Sequence, residues 1–227
     1  IPAPYAMPVA SVGRSPSSTG LRSYIWLVSA QSFPVEYDHT AKAGHQGDLA
    51  KPALVANLVT ALSMPGQRFV YAESHTGRSR YELAPSGAWR RGVGRLFGVA
   101  EVGSYLHDPE LHNERVSEII SFLDRYRAKP PSAVGGVYLG SSMLTREILR
   151  SQDVDYQLQL SETNPAVIDE LRNAYSDDPC VTVNLGDGYR FVRELAESTL
   201  VLIDPPAIDV SALDLMASLA REGRHFL

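Results

Sequence analysis

The sequence predicts an α/β fold with a mainly parallel open sheet, and three observations carry that expectation. Short apolar runs alternate with segments of helical period along most of the chain. Each apolar run ends in polar residues, at the carboxyl ends where ligands bind in open α/β sheets. The last run, Thr199-Leu200-Val201-Leu202-Ile203, opens directly into Asp204-Pro205-Pro206. Consecutive prolines hold such a loop extended, because each fixes its own φ and restricts the residue before it.

Residues 1–36 read as an N-terminal extension, and residues 37–227 as the domain that holds the predicted fold. Its first 35 residues contain Arg14 and Arg22 but no Asp or Glu, and they are rich in Ser, Pro and Ala. That bias fits an organelle-targeting or post-targeting segment, and it equally fits a disordered or partner-clasping arm. A start at Ile1 rather than Met points to a processed or trimmed product. Trp26, Leu27 and Val28 give the arm something apolar to bury.

The elements follow in order. Leu49, Leu54, Val55, Leu58, Val59 and Leu62 have helical spacing within residues 48–64. Residues 68–73 read as the first strand. Residues 84–135 then form a mainly helical insertion, with Val116, Ile119, Ile120, Leu123 and Tyr126 on one face. A helix over 141–151 leads to a second strand over 156–162, and a helix over 165–175 to a third strand over 181–185. A helix over 188–197, the fourth strand over 199–203 and a last helix over 211–221 complete the chain.

A length of 227 residues with 44% hydrophobic content suits one α/β domain with an appendage. No apolar run reaches membrane-spanning length. The net charge of −5 argues against holding nucleic acid by bulk electrostatics. Arg78, Arg80, Arg90, Arg91 and Arg95 leave either a local basic patch or a solvated charged loop. The single cysteine, Cys180, excludes an internal disulfide framework and reads as a core residue at a strand start. His39, His45 and His75 lack metal-ligand spacing, so no metal site is expected.

Four strand ends carry the candidate chemistry. The first gives Glu73-Ser74-His75-Thr76-Gly77, and the second ends at Glu162, an acid placed to hold both ribose hydroxyls of a nucleoside cofactor. The third gives Gly186-Asp187-Gly188, where a side chain and an amide could read an adenine edge. The fourth gives Asp204, whose carboxylate can accept a hydrogen bond from an exocyclic amine. Taken alone, a strand-end acid or a Gly-Asp-Gly turn is more often a helix cap.

Five blocks carry a resemblance: 37–51 (YDHTAKAGHQGDLAK), 69–83 (FVYAESHTGRSRYEL), 138–142 (YLGSS), 160–165 (LSETNP), and Gly186-Asp187-Gly188 with the Asp-Pro-Pro loop. In order and gaps the chain resembles the bacterial 23S ribosomal RNA adenine-N6 methyltransferases once linked to the use of external DNA. The resemblance implies a Rossmann-like class I fold that uses S-adenosylmethionine. It implies cofactor contacts from Lys51, His75, Ser141, Glu162, Asp187 and Gly188. Asp204, Pro205 and Pro206 would be catalytic, with Asp204 orienting the adenine amine, and Tyr37 would lie near the RNA.

The chain departs from the family at three places around that pocket. Lys51-Pro52 stands where the family has Lys-His, Gly77-Arg78-Ser79 where it has Gly-x-Gly, and Ala207 where an aromatic follows Pro-Pro. The last change removes a stacking surface worth roughly 1–3 kcal/mol per base. The family also continues for several more strands, so the sheet is expected to lack its last strands and to expose the fourth strand as an edge that invites a protein partner; a fragment would look the same. The expected function is therefore a catalytically degenerate methyltransferase kept as a structural subunit, without cofactor, in a mitochondrion or other organelle matrix. The alternative is an active S-adenosylmethionine-dependent adenine-N6 methyltransferase acting on ribosomal RNA in a bacterial cytoplasm. A third possibility keeps cofactor binding without catalysis.

Overall fold

The computed structural model describes residues 39–84, 87–96, 129–132 and 135–227. The N-terminal extension, Tyr37 and the insertion's face from Val116 to Tyr126 lie outside the described residues. Seven strands are described: β1 (Phe69–Glu73), β2 (Arg80–Leu83), β3 (Lys129–Ser132), β4 (Gly135–Leu139), β5 (Tyr156–Glu162), β6 (Val181–Leu185) and β7 (Leu200–Leu202). The described α-helices are α1 (Gly47–Leu62), α2 (Val93–Leu96), α3 (Ser141–Ser151), α4 (Pro165–Ala174), α5 (Gly188–Glu194) and α6 (Val210–Arg221).

The main sheet is parallel and runs β6-β5-β1-β7, with Tyr71 opposite Leu158 on one side and Leu200 on the other. Every side chain of β1 is buried, as a central parallel strand covered on both faces requires. Period-two alternation divides the neighbours between two cores. Tyr71, Leu158, Leu200 and Leu202 pack with Val55 and Val59 of α1, Ile148 of α3 and Leu171 of α4. On the other face Ala72, Val201 and Ile203 pack with Val192 of α5 and Leu215 of α6. Cys180 is half-buried against the first of these cores.

Strands β2, β4 and β3 form a second, antiparallel sheet that the sequence does not predict. The insertion expected to be mainly helical thus contributes β3 and the start of β4. Around it, Ala43, Tyr81, Leu83, Trp89, Val93 and Tyr138 form a small separate core.

The fourth strand is not the bare edge that was expected. The amide of Val201 donates to the His225 carbonyl at 3.0 Å, that of Ile203 to Leu227 at 2.8 Å, and that of Leu227 to Val201 at 2.9 Å. Residues 225–227 therefore take the ladder positions on β7 that a partner strand would use.

Two features of the fold generate predictions. Pro52 sits inside α1 and has no amide hydrogen, so the Asp48 carbonyl one turn earlier loses its helical donor. The Tyr138 hydroxyl donates to that carbonyl at 2.7 Å. Tyr138→Phe is expected to leave it unsatisfied and to cost about 1–3 kcal/mol. Thermal denaturation checks this, and an unchanged midpoint would show that the helix tolerates Pro52 without the hydroxyl.

The second feature is Glu73, fully buried at the end of β1, where Oε1 accepts the Tyr71 hydroxyl at 2.6 Å. Burial pushes its carboxyl up from 4.5 to about 8. Between those values the folded state binds the extra proton, so stability declines as pH rises through that window and then levels off. Glu73→Gln keeps the acceptor and removes the titration. The variant should melt with the parent at about pH 4.5 and several degrees above it at about pH 9. An equal difference at both pH values would show that Glu73 is not protonated in the fold.

Candidate functional site

The carboxyl ends of β1, β5 and β7 open onto one cavity of about 360 Å³. Its walls include Lys51 and Pro52 from α1, His75 to Arg78 after β1, Ser141 at the start of α3, Glu162 to Asn164 after β5, Tyr189 of α5, and Asp204 to Ala207 after β7. Sequence-predicted residues from five elements thus meet at one place.

The loop after β1 is held by its own backbone. The Ser74 amide donates to Leu202 at 3.0 Å and the Thr76 amide to Ser161 at 3.0 Å, so the loop is tied to both flanking strands. The Gly77 amide donates to Glu162 Oε2 at 3.0 Å. Gly77 has φ of +65°, and a Cβ there would lie 2.6 Å from the Tyr81 hydroxyl, so glycine is required twice over.

Glu162 is positioned from the other side as well. Its Oε1 accepts the amides of Thr163 at 2.7 Å and Asn164 at 2.9 Å. Three backbone donors fix the carboxylate at the cavity wall.

Asp204 and Lys51, 153 positions apart, form an ion pair with Nζ 2.5 Å from Oδ2. Burial pulls the Lys51 ammonium down, but Asp204 wins, with Asp48 and Glu73 adding to it, and the net shift is upward. Lys51 therefore stays charged. In the structure it lines the cavity as the partner of the Asp204 carboxylate. Engagement of Oδ2 leaves Oδ1 as an acceptor, on a side chain that is 42% exposed.

His75 lines the cavity, and its ring meets Tyr189 edge-on at 4.9 Å. Burial lowers its pKa in spite of nearby Glu162 and Asp204, so the imidazole is neutral at neutral pH. Ser74 Oγ and His75 Nδ1 lie 2.9 Å apart, which fixes the ring.

Asp187 and Gly188 do not line the cavity. Asp187 is the N-cap of α5 and accepts the amides of Tyr189 at 2.9 Å and Arg190 at 3.2 Å. Gly188 lets α5 press on β1, since a Cβ there would fall 1.6 Å from the Ser74 carbonyl oxygen. What this turn delivers to the wall is Tyr189.

Sequence reasoning assigned no role to Asp48, Tyr189 or Asp209, which line the cavity together with His39. Asp48 is buried and accepts from His39 Nε2 at 2.7 Å and from the Gly44 amide at 2.9 Å. Burial raises its pKa, but the His39 bond and nearby Lys51 outweigh that and hold it below the usual carboxylate range. Helical spacing within the 37–51 block was the available signal: Asp48 and Lys51 lie three apart on one face of α1. Asp209 caps α6 by accepting the Ala212 amide at 2.8 Å.

Comparison with known proteins identifies the architecture. A crystal structure of a protein from Legionella pneumophila aligns over 79% of this chain and 63% of its own, with a TM-score of 0.59 and 22% sequence identity, and shows the shared fold. The ribosomal RNA large subunit methyltransferase J of Haemophilus influenzae is 28% identical over 83% of this chain and 65% of its own length. That of Escherichia coli is 27% identical over 76% and 59% respectively. The chain spans less than two thirds of each of these proteins. The family model described as ribosomal RNA large subunit methyltransferase D, RlmJ, matches residues 66–223, well over half of the chain, and the chain belongs to that family of methyltransferase-like proteins.

Proposed function

We propose that the cavity binds S-adenosylmethionine and that the chain serves methyl transfer to the exocyclic amine of an adenine in ribosomal RNA. The observation that carries this is the convergence of Glu162, His75, Ser141 and the Lys51–Asp204 pair on one cavity. The lining suits the cofactor's charge: Asp48, Glu162, Asp204 and Asp209 outnumber Lys51 and Arg78, as a cationic sulfonium ligand favours. Glu162, fixed by three amides, would accept the ribose hydroxyls, with His75 and Ser141 on the same wall. When bound, the cofactor supplies an electrophilic methyl group.

The chain's own residues supply orientation. An amine conjugated into a purine is a poor nucleophile until its lone pair is localised. Donation of an amine N–H to Asp204 localises it, and the Pro205 carbonyl is a second acceptor on the same extended loop. Lys51 holds the Asp204 carboxylate in place.

A second role has its own observation. Pro52 and Ala207, two of the three departures from the family pattern, line this same cavity, and so does Arg78 beside the third, Ser79. That convergence favours a catalytically relaxed subunit of a larger assembly, in which ribosomal RNA contact would outlast methyl transfer. The bacterial relatives support a bacterial cytoplasmic setting for either role over a mitochondrial one.

Calorimetric titration of S-adenosylmethionine, followed by methyl incorporation into ribosomal RNA, separates the two. Micromolar binding is expected. Asp204→Ala should lower incorporation at least 100-fold, in the range of a lost transition-state group, and shift cofactor affinity by less than about threefold. Unchanged incorporation in the variant would remove Asp204 from the reaction, and no incorporation by the parent would favour the subunit role.

A further inference from the structure

Glu170 lies on α4, the helix that begins just after Glu162-Thr163-Asn164. Its carboxylate takes both donors of one residue in the loop after β1. The Ser79 amide donates to Oε2 at 3.0 Å, and the Ser79 hydroxyl donates to Oε1. Ser79 is fully buried, and its carbonyl accepts the Gly140 amide at 2.8 Å. Gly140 in turn leads into Ser141 on the cavity wall.

The loop is thus gripped from the β5–α4 segment at two points, Gly77 through Glu162 and Ser79 through Glu170. Arg78 lies between the grips. Its amide donates to the Tyr81 hydroxyl at 3.1 Å, so the amides of Gly77, Arg78 and Ser79 are all committed inside the protein. Its side chain lines both the cavity and the groove beyond it. A loop with no free amide donor cannot cradle a phosphate as glycine-rich nucleotide loops do. It can hold a wall in one conformation before any ligand arrives.

We propose that the Ser79–Glu170 contact is a positioning clamp, which preorganises the Gly77–Ser79 wall and so raises the affinity of the cavity for its nucleoside ligand. Ordering the wall in advance removes an entropic cost that binding would otherwise carry. Neither residue touches the ligand; both act through Arg78 and Gly77. The inference rests on the assignment of the cavity to S-adenosylmethionine for its affinity arm alone.

Two measurements test it on the full chain. In ligand-free protein, Ser79→Ala and Glu170→Ala should each speed amide hydrogen exchange at Arg78 and Ser79 by about tenfold or more, with β5 and β6 unchanged. Titration with S-adenosylmethionine should show each variant binding about 5- to 50-fold more weakly, with the double variant no worse than either single one. Ser79→Thr, which keeps the hydroxyl, should restore slow exchange. Unchanged exchange in both single variants would overturn the clamp. So would slowed binding losses that simply add, or parental affinity in a variant whose exchange has increased. If the parent binds no S-adenosylmethionine, the cofactor assignment fails, and the exchange arm still decides whether the clamp exists.

Discussion

Complete burial of β1 is the constraint on which the rest of the structure depends. A strand paired on both sides and covered on both faces cannot send polar groups to solvent except at its ends. All of the chain's polar chemistry after β1 is therefore compressed into the turn from Glu73 to Ser79. The partners of its polar groups come from β1 itself, Tyr71 for Glu73, and from neighbouring elements: Leu202 and Ser161 for the amides of Ser74 and Thr76, Glu162 for Gly77, Glu170 for Ser79. The site is the place where those obligations meet.

That topology was largely legible in the sequence. The runs at 156–162 and 181–185 are strands with those bounds, and residues 141–151 form the helix that their spacing predicts. Parallel strands read clearly because burial on both faces produces dense apolar runs with polar ends. Strands β3 and β4 did not read so. They carry Pro130-Pro131 and Gly135-Gly136, which lack strand propensity, and they are strands because β2, from another part of the chain, pairs with β4. Pairing of that kind is tertiary information.

The site divides along the same line. Positions at strand ends were identifiable, because the fold class says where ligands bind. Partnerships were not. Lys51 could be placed near a pocket but not matched to Asp204 across 153 positions. Asp187 has the same sequence signal whether it reads a ligand or caps α5, and in the structure its Oδ1 caps α5. The fourth strand looked like an open edge because hydrogen bonding by residues 225–227 leaves no mark in their side chains.

The departures from the family pattern look different once their partners are known. Pro52 removes a helical donor, and Tyr138 supplies one from the second sheet. Ser79 puts a hydroxyl where a glycine was expected, and Glu170 accepts it together with the amide. Folding alone demands a partner for each newly exposed or newly introduced polar group, since a buried hydroxyl or carbonyl without one costs free energy whether or not a ligand ever binds. Both substitutions are therefore compatible with a wall whose shape still matters. Ala207 is of another kind. It introduces no polar group and orphans none, so folding places no demand on its surroundings, and its effect falls on what the cavity can hold. The balance between methyl transfer and a retained scaffold consequently turns on that one apolar position beside Asp204, and not on the wall that Pro52 and Ser79 help to build.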